Sequence, residues 1–145
     1  MTTVLTQIVA RALFLPTLVV AVAVLVKGYV GAGDGFAAGV IAALAVLLQV
    51  VVFGRDEVER HLGLRFAPTI AFVGLGIGLA IAFVPALLGR PIMTHAPGRD
   101  EAVVHLGTLE LLTAVLFDVG VFLLVLGFAI SAITMFARAR VRREQ

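Results

Sequence analysis

The sequence predicts an all-α integral membrane protein with four transmembrane helices, and two observations carry this prediction. Of its 145 residues, 61% are hydrophobic and only 14% are charged, with a mean hydropathy of +1.15. Soluble domains have about 45–50% apolar and about 25% charged residues. The apolar residues also form four long blocks without the alternating polar positions of a membrane β-barrel. Helices are therefore the structure that satisfies the backbone in lipid.

We place the four spans at about residues 5–26, 36–53, 66–88 and 109–137, within a single domain covering 1–145. Each is long enough to cross about 30 Å of hydrocarbon. The first span has no basic segment before Arg11, which favours an uncleaved span over a signal peptide. The second and third spans contain no charged residue. No cysteine is present, which excludes disulfides and thiol catalysis.

The distribution of lysine and arginine predicts the orientation in the membrane, because cytoplasmic loops are enriched in both. Three of the 11 cations fall on one side, namely Lys27, Arg90 and Arg99. The other eight fall on the opposite side, at Arg11, in the 54–65 loop and in the tail after residue 137. We therefore expect both termini and the 54–65 loop to be cytoplasmic. Arg11 itself either extends its guanidinium to the interface, the commoner case, or is a buried functional arginine.

Small residues recur at four-residue spacing in three of the spans. This spacing lets helices approach closely in lipid, and it predicts packing faces. A nucleotide-binding loop is not supported, because no strand precedes the first glycine group and no Gly-Lys-Ser/Thr follows it. Asp34 is expected in the turn before the second span, where a carboxylate can cap the helix. The glycines assigned to packing are Gly31, Gly35, Gly39, Gly74, Gly78, Gly120 and Gly127.

Asp118 is the one acidic residue clearly within a span. On a helix entering near residue 109 it lies about 13 Å along the axis. An ionised carboxylate there costs at least ~2.5–3.5 kcal/mol, so a partner, a wet cavity or a proton is expected. Two interpretations stay open: an ion or proton relay, or a polar contact between helices or subunits. Glu110 at the outer edge and Thr113 are weaker candidates for the same path or interface.

No other catalytic or metal-binding group is predicted. His61 is expected on the opposite side of the membrane from His95 and His105, which argues against one three-histidine metal site. The run from Arg55 to Arg60 is expected to be a solvated helical turn with internal ion pairs. The basic tail is typical of a cytoplasmic flank attracted to anionic lipid, and nothing indicates nucleic-acid binding.

Two stretches of the chain resemble the MrpB/MnhB family, the B-type subunits of the multisubunit Na⁺/H⁺ antiporters. That family carries Pro-Gly-Gly-Gly-Phe-x-x-Gly at the start of its second span, and residues 32–39 read AGDGFAAG, with Ala32 and Asp34 in place of the proline and the middle glycine. It also carries Thr-Ala-Val-Phe-Phe-Asp-Phe-Gly-Val in its last span, and residues 113–121 read TAVLFDVGV. The resemblance covers most of the chain. The loop after the third span and the tail match less well.

The resemblance implies a non-catalytic subunit of a bacterial plasma-membrane complex that exchanges Na⁺ for protons, driven by the proton-motive force, in pH and Na⁺ homeostasis. It implies other subunits of an Mrp-type antiporter as partners and no cofactor. An auxiliary role agrees with the absence of lysine inside a span, since Lys27 is the one lysine and lies at an interface. Two alternatives stay open. One is a related module of an ion-pumping membrane hydrogenase or similar oxidoreductase, and the other is a small stand-alone membrane protein.

Overall fold

A computed structural model describes residues 3–27, 34–87 and 113–141. The side chains of residues 84, 85, 113, 114 and 137–141 lie outside the description. Within these ranges the chain is helical except at three residues, and it contains no strand. The elements are α1 (Val4–Lys27), α2 (Asp34–Phe53), α3 (Arg55–Leu62), a single 3₁₀ turn (Leu64–Phe66), α4 (Ala67–Leu87) and α5 (Thr113–Val141).

Four of these helices are long and apolar enough to cross a membrane, which confirms the predicted fold class. α1, α2 and α4 begin and end within about two residues of the predicted spans. α5 continues to Val141, beyond the predicted end at 137, and the predicted start at 109 lies outside the described residues. The orientation of the termini stays a prediction.

A short polar segment, residues 54–66, joins α2 to α4 and is called the hairpin below. It consists of α3 followed by the 3₁₀ turn. Gly54, at a φ of 85°, separates α2 from α3, and Gly63, at a φ of 58°, ends α3. Both values lie in the left-handed region that glycine adopts at little cost. The Gly63 N–H donates to the Glu59 carbonyl oxygen at 3.0 Å, which closes the C-terminus of α3. One ion pair of the predicted kind is present within the run from Arg55 to Arg60, because Glu57 lies 3.5 Å from Arg60. The His61 ring nitrogen lies 3.8 Å from the same carboxylate.

The spans pack in the spatial order α1, α2, α5, α4. α2 is the most enclosed helix: 44% of the residues in its apolar segment are buried, against 11% in each of the other three. α2 lies between α1 and α5, and α5 lies between α2 and α4. The two inner helices therefore carry the contacts that hold the bundle together.

Small side chains form most of the interior, and large ones face outward. Leu15 of α1 and Phe72 of α4 are among the most exposed, at 69% and 73%. This distribution fits a lipid environment, where helices associate by close van der Waals packing rather than by a hydrophobic driving force. The buried alanines are Ala10, Ala21, Ala38, Ala42, Ala43, Ala45 and Ala67.

One cluster of larger side chains fixes the hairpin to the end of the bundle. Val58 of α3 and Leu64 of the 3₁₀ turn pack with Val46 of α2, Ala67 of α4 and Ile130 of α5. Ile130 is distant in sequence from the other four residues, so the cluster holds α3 in place against the spans. It thereby shapes the surface that α1, α2 and α3 share.

Candidate functional site

Asp118 lies five residues after the first residue of α5 and is only 4% exposed. With Gln49 it is one of two buried polar residues in the described part of the chain. A carboxylate enclosed in this way needs compensation from its surroundings. The helices that enclose it therefore decide what Asp118 can do.

Gly35 of α2 packs directly against the backbone of Asp118. A Cβ built on Gly35 would lie 2.9 Å from both the Cα and the carbonyl carbon of Asp118, and closer still to its carbonyl oxygen. One turn further along α2, a Cβ on Gly39 would lie 3.0 Å from the Phe122 carbonyl oxygen and 2.9 Å from the Val125 Cβ. Real Cβ atoms essentially never come closer than 3.0 Å to another residue's heavy atoms, so neither position has room for a side chain. The α2 and α5 backbones therefore meet through two glycines.

The contact with Gly35 also determines where Asp118 lies along the bundle. Gly35 is the second residue of α2, so Asp118 is level with the first turn of that helix. The same end carries Asp34, whose carboxylate lies 3.9 Å from the Lys27 ammonium. The sequence-based depth of about 13 Å assumed a helix entering at residue 109, and residues 109–112 lie outside the described chain. In the structure Asp118 lies near the end of the bundle where α2 begins.

Contacts with α4 hold the other side of the same α5 segment. A Cβ on Gly120 would lie 3.0 Å from both the Gly74 carbonyl oxygen and the Gly78 nitrogen. A Cβ on Gly74 would lie 2.5 Å from the Gly120 carbonyl oxygen. Asp118 and Gly120 are two residues apart, so α2 and α4 fix the α5 backbone from both sides at this level. The position of the buried carboxylate is set by these helix contacts.

The remaining glycines differ in how tightly they are packed. A Cβ on Gly127 would lie 2.5 Å from both the Ala67 carbonyl oxygen and the Ala71 nitrogen, so α5 also meets the first turns of α4 through a glycine. Gly78 is looser, because its nearest neighbour would be a ring carbon of Phe117 at 3.9 Å. The spacing of the glycines alone does not distinguish these two cases.

Several predicted site residues fall outside the part of the chain that the structure describes. Gly31 and Glu110 lie outside it altogether, and only the backbone of Thr113 is described, as the first residue of α5. Asp34 is the first residue of α2, where the positive end of the helix dipole favours a carboxylate. Within the described ranges no group of three histidine or acidic residues is arranged to hold a metal ion.

The sequence analysis missed Gln49, which joins α1 to α2. Its Nε2 donates a hydrogen bond to the Ala10 carbonyl oxygen at 2.7 Å, and both residues are buried. Gln49 is the one polar side chain in α2 after Asp34. That isolation within an apolar segment is the signal that would have found it, because a polar side chain in lipid seeks a partner on another helix.

Arg11 is exposed and lies beside the hairpin, so it is not buried among the described residues; that its guanidinium reaches the membrane interface stays a prediction. Its guanidinium carbon lies 4.9 Å from the centre of the Phe53 ring, and the residue is exposed. Phe53 is the last residue of α2, so the arginine lies where α2 gives way to the polar α3. A cation over an aromatic face in this arrangement gains about 0.5–1 kcal/mol.

Comparison with known proteins gives the family of this chain. Residues 5–131 match the family model described as a domain related to the MnhB subunit of Na⁺/H⁺ antiporter. That match covers most of the chain and includes the glycine contacts on both sides of the Asp118 segment. The chain belongs to the MnhB family.

Relatives in this MnhB family are antiporter subunits by name. The chain is 34% identical to the B subunit of the Na⁺/H⁺ antiporter of Alkalihalophilus pseudofirmus over 110 residues, which are 76% of this chain and 75% of that protein. It is 30% identical to the B subunit of the Na⁺/H⁺ antiporter of Bacillus subtilis over 107 residues, 74% and 73% of the two chains. It is also 32% identical over 136 residues, 93% of this chain, to a probable K⁺/H⁺ antiporter protein of Rhizobium meliloti that is named as a combined A/B subunit, and it covers 13% of that protein.

Proposed function

We propose that this MnhB-family chain is a membrane subunit of a multisubunit monovalent cation/proton antiporter. The observation that carries the proposal is the family match over residues 5–131, together with relatives named as B subunits of such antiporters. The four apolar helices agree with a multi-pass protein of a bacterial membrane. In that setting the complex uses the proton-motive force to expel Na⁺, and it supports pH and Na⁺ homeostasis.

The proposed role is structural rather than catalytic, and it requires no cofactor. The inner contacts consist of glycine and alanine, and the interior of the described chain offers just two polar residues, Asp118 and Gln49. A transport path across the membrane needs polar groups at several depths. We therefore assign the main path for the ion to other subunits. The cation preference is assigned as Na⁺ from the first two relatives, while the name of the third shows that K⁺ occurs among relatives.

Asp118 is proposed to stabilise the contact of α5 with α2 and α4. Its burial inside this chain and the backbone contacts on both sides support that role over a relay that exchanges protons with water. A relay would require access to water or to a partner's polar group. The charge-neutral variant Asp118→Asn separates the two roles, because it keeps the size of the side chain and removes the titrating group.

The A-type subunit of the same complex is proposed as a neighbour of this chain. The combined A/B name of the Rhizobium meliloti relative indicates that one polypeptide carries both types there, and this chain matches 13% of it. Two subunits joined in one polypeptide are held close together. The large outward-facing side chains of α1 and α4 provide apolar surface for such a contact.

Co-purification tests the assembly. The chain, tagged in its own host and extracted in mild detergent, is expected to bring down antiporter-type subunits, including the A type. Recovery with hydrogenase or other oxidoreductase subunits would contradict the proposal in favour of the alternative complex. Recovery of the chain by itself would contradict the partner assignment.

Transport in everted membrane vesicles tests the activity. Adding Na⁺ should dissipate the proton gradient in vesicles from the parent strain but not in vesicles from a strain lacking this chain, and the cloned chain should restore the response. Unchanged exchange in the deletion strain would contradict the proposal. Na⁺/H⁺ exchange in liposomes that contain the purified chain alone would instead make it a stand-alone transporter.

A further inference from the structure

A cavity of about 370 Å³ opens between α1, α2 and α3 at the hairpin end of the bundle. None of the residues around it takes part in the Asp118 contacts described above. Its walls come from three separate elements, which the cluster around Val58 holds together. The lining residues are Arg11, Phe14, Gln49, Phe53, Glu57, Val58, His61 and Leu62.

The lining divides into an apolar part and a polar part. Phe14, Phe53 and Leu62 are among the apolar residues, while Arg11 and His61 are among the polar ones. A small inorganic ion would leave the apolar wall unused. An amphiphile that carries a charged group on a hydrocarbon body matches both parts.

The electrostatic balance of the cavity favours an anion. In the part of the chain that the structure describes, no carboxylate lies within 4 Å of Arg11. Glu57, the acidic residue of the lining, already lies 3.5 Å from Arg60 and 3.8 Å from His61. The unbalanced charge at the cavity is therefore the positive charge of Arg11.

The Phe53 ring gives the Arg11 guanidinium a defined place. Its central carbon lies 4.9 Å from the centre of the ring, and a guanidinium carries paired N–H donors that can make a bidentate contact. Phosphate oxygens match these donors in geometry and charge. A compact lysine ammonium would offer no such fork.

The cavity lies where the apolar α2 ends and the polar α3 begins, which is where a phospholipid headgroup is expected beside a transmembrane helix. Phe53 ends the apolar α2, and Glu57 and His61 belong to the polar α3 that follows. Arg11 is seven residues into α1, about 10 Å from its first residue at 1.5 Å per residue. Basic pockets between transmembrane helices near the membrane surface are suited to anionic lipid headgroups.

We propose that this cavity binds an anionic phospholipid, with the phosphate on Arg11 and the adjoining hydrocarbon against Phe14 and Leu62. The lipid would fill the space between α1 and the hairpin and so link α3 to the first span. The proposal requires that the chain lies in a membrane but not that it belongs to an antiporter. Its failure and the failure of the proposed function are thus separate results.

Fluorescence quenching by brominated lipids tests the proposal on the full chain. The chain has no tryptophan, so Leu62→Trp introduces a single reporter in the cavity wall, and Phe14→Trp provides a second in case the first fails to fold. Each reporter chain is reconstituted into phosphatidylcholine vesicles with a minor fraction of brominated phosphatidylglycerol or brominated phosphatidylcholine. We expect phosphatidylglycerol to bind about fivefold more tightly than phosphatidylcholine, because one arginine attracts an anionic lipid by about 1 kcal/mol.

Two arginine variants make the test specific. Arg11→Gln should remove the preference, whereas Arg65→Gln should keep it. Arg65 is a matched control, because its guanidinium lies 4.7 Å from the Phe66 ring in the same hairpin region but does not line the cavity. Equal quenching by the two lipids in both reporter chains would overturn the proposal. Loss of the preference in both arginine variants would also overturn it, since the attraction would then come from general surface charge.

Two further measurements separate lipid from other occupants. Millimolar inorganic phosphate added to the vesicles should not reverse the preferential quenching, and full reversal would identify a free-phosphate site instead. Mass spectrometry of the purified complex should find less retained phosphatidylglycerol with Arg11→Gln than with Arg65→Gln. Equal retention in the two complexes would overturn the proposal for the assembled protein and would indicate that another subunit covers the cavity.

Discussion

Gly35 at the start of α2 lies directly against the backbone of Asp118 in α5. A methyl group on Gly35 would come within 2.9 Å of the Asp118 Cα, and two residues along α5 a second glycine, Gly120, meets α4 in the same way. The buried carboxylate is therefore carried on a backbone segment enclosed by two helices. This arrangement leads to predictions about packing, polarity and topology.

Gly35→Ala should destabilise the chain by roughly 1–3 kcal/mol, because the added methyl group meets backbone atoms that cannot move aside. Thermal unfolding of the purified chain in detergent, followed by circular dichroism, measures the effect. Gly76→Ala is the matched control, since a Cβ at Gly76 has no neighbour within 4 Å. An unfolding temperature for Gly35→Ala as high as that of the control would show that α2 and α5 do not meet there.

Gly74 and Gly78, one turn apart in α4, should respond differently to the same substitution. At Gly74 the new methyl group would lie 2.5 Å from the Gly120 carbonyl oxygen, whereas at Gly78 it would make an ordinary contact of 3.9 Å with Phe117. Gly74→Ala should lower stability by about 1–3 kcal/mol, and Gly78→Ala should be nearly neutral. An equal loss of stability in both variants would argue against the orientation of α4 seen here, in which the Cβ position of Gly74 points at the α5 backbone and that of Gly78 does not. The same unfolding measurement decides between these results.

Gln49→Leu should weaken the contact of α1 with α2 by about 0.6 kcal/mol and by no more than about 1.7 kcal/mol, the range for hydrogen bonds between membrane helices. The leucine keeps the apolar volume but cannot donate to the Ala10 carbonyl oxygen, which Gln49 reaches at 2.7 Å. Gln49→Glu should cost more at neutral pH, because an ionised carboxylate would face that carbonyl oxygen. Chemical denaturation in mixed micelles compares the variants. A leucine variant as stable as the parent would contradict the hydrogen bond.

Asp118→Asn should leave cation/proton exchange of the assembled complex little changed, because the amide preserves the size and polarity of the buried group. Asp118→Leu should reduce recovery of the complex, since a polar interaction worth about 1 kcal/mol is lost. Vesicle transport normalised to the amount of assembled complex makes the comparison. A complex with Asp118→Asn that assembles fully and does not transport would instead put the carboxylate on the ion path.

Single cysteines should determine the orientation that the charge distribution predicts. The chain has no cysteine of its own, so Asp56→Cys and Lys27→Cys each provide one exposed thiol, in α3 and at the end of α1. With the 54–65 loop in the cytoplasm, an impermeant maleimide should label Lys27→Cys in intact cells and label Asp56→Cys only after lysis. The reverse pattern would place both termini outside.

The number and approximate ends of the spans were predictable from sequence because their physical cause is local. A helix that crosses hydrocarbon needs about 20 apolar residues, and the four helices satisfy this within their own segments. The hairpin was predictable in outline for the same reason, since the charges of residues 55–60 cannot enter lipid. The two motifs at residues 32–39 and 113–121 were likewise sufficient to indicate the family, which the match over 5–131 confirms.

What the tertiary structure alone decided is which faces of these helices meet. Hydrophobicity is nearly even around each span, because lipid-facing and buried side chains are equally apolar, so no amphipathic stripe marks the inner face. Spacing grouped Gly74 with Gly78, but in the crossing of α4 with α5 only a Cβ on Gly74 would meet backbone atoms of α5, whereas a Cβ on Gly78 would make an ordinary contact. Contacts between distant segments, such as Gln49 with Ala10 and Arg11 with Phe53, depend on how the helices are placed around one another. The sequence identified the buried Asp118, and the packing of α2 and α4 on α5 determined its surroundings.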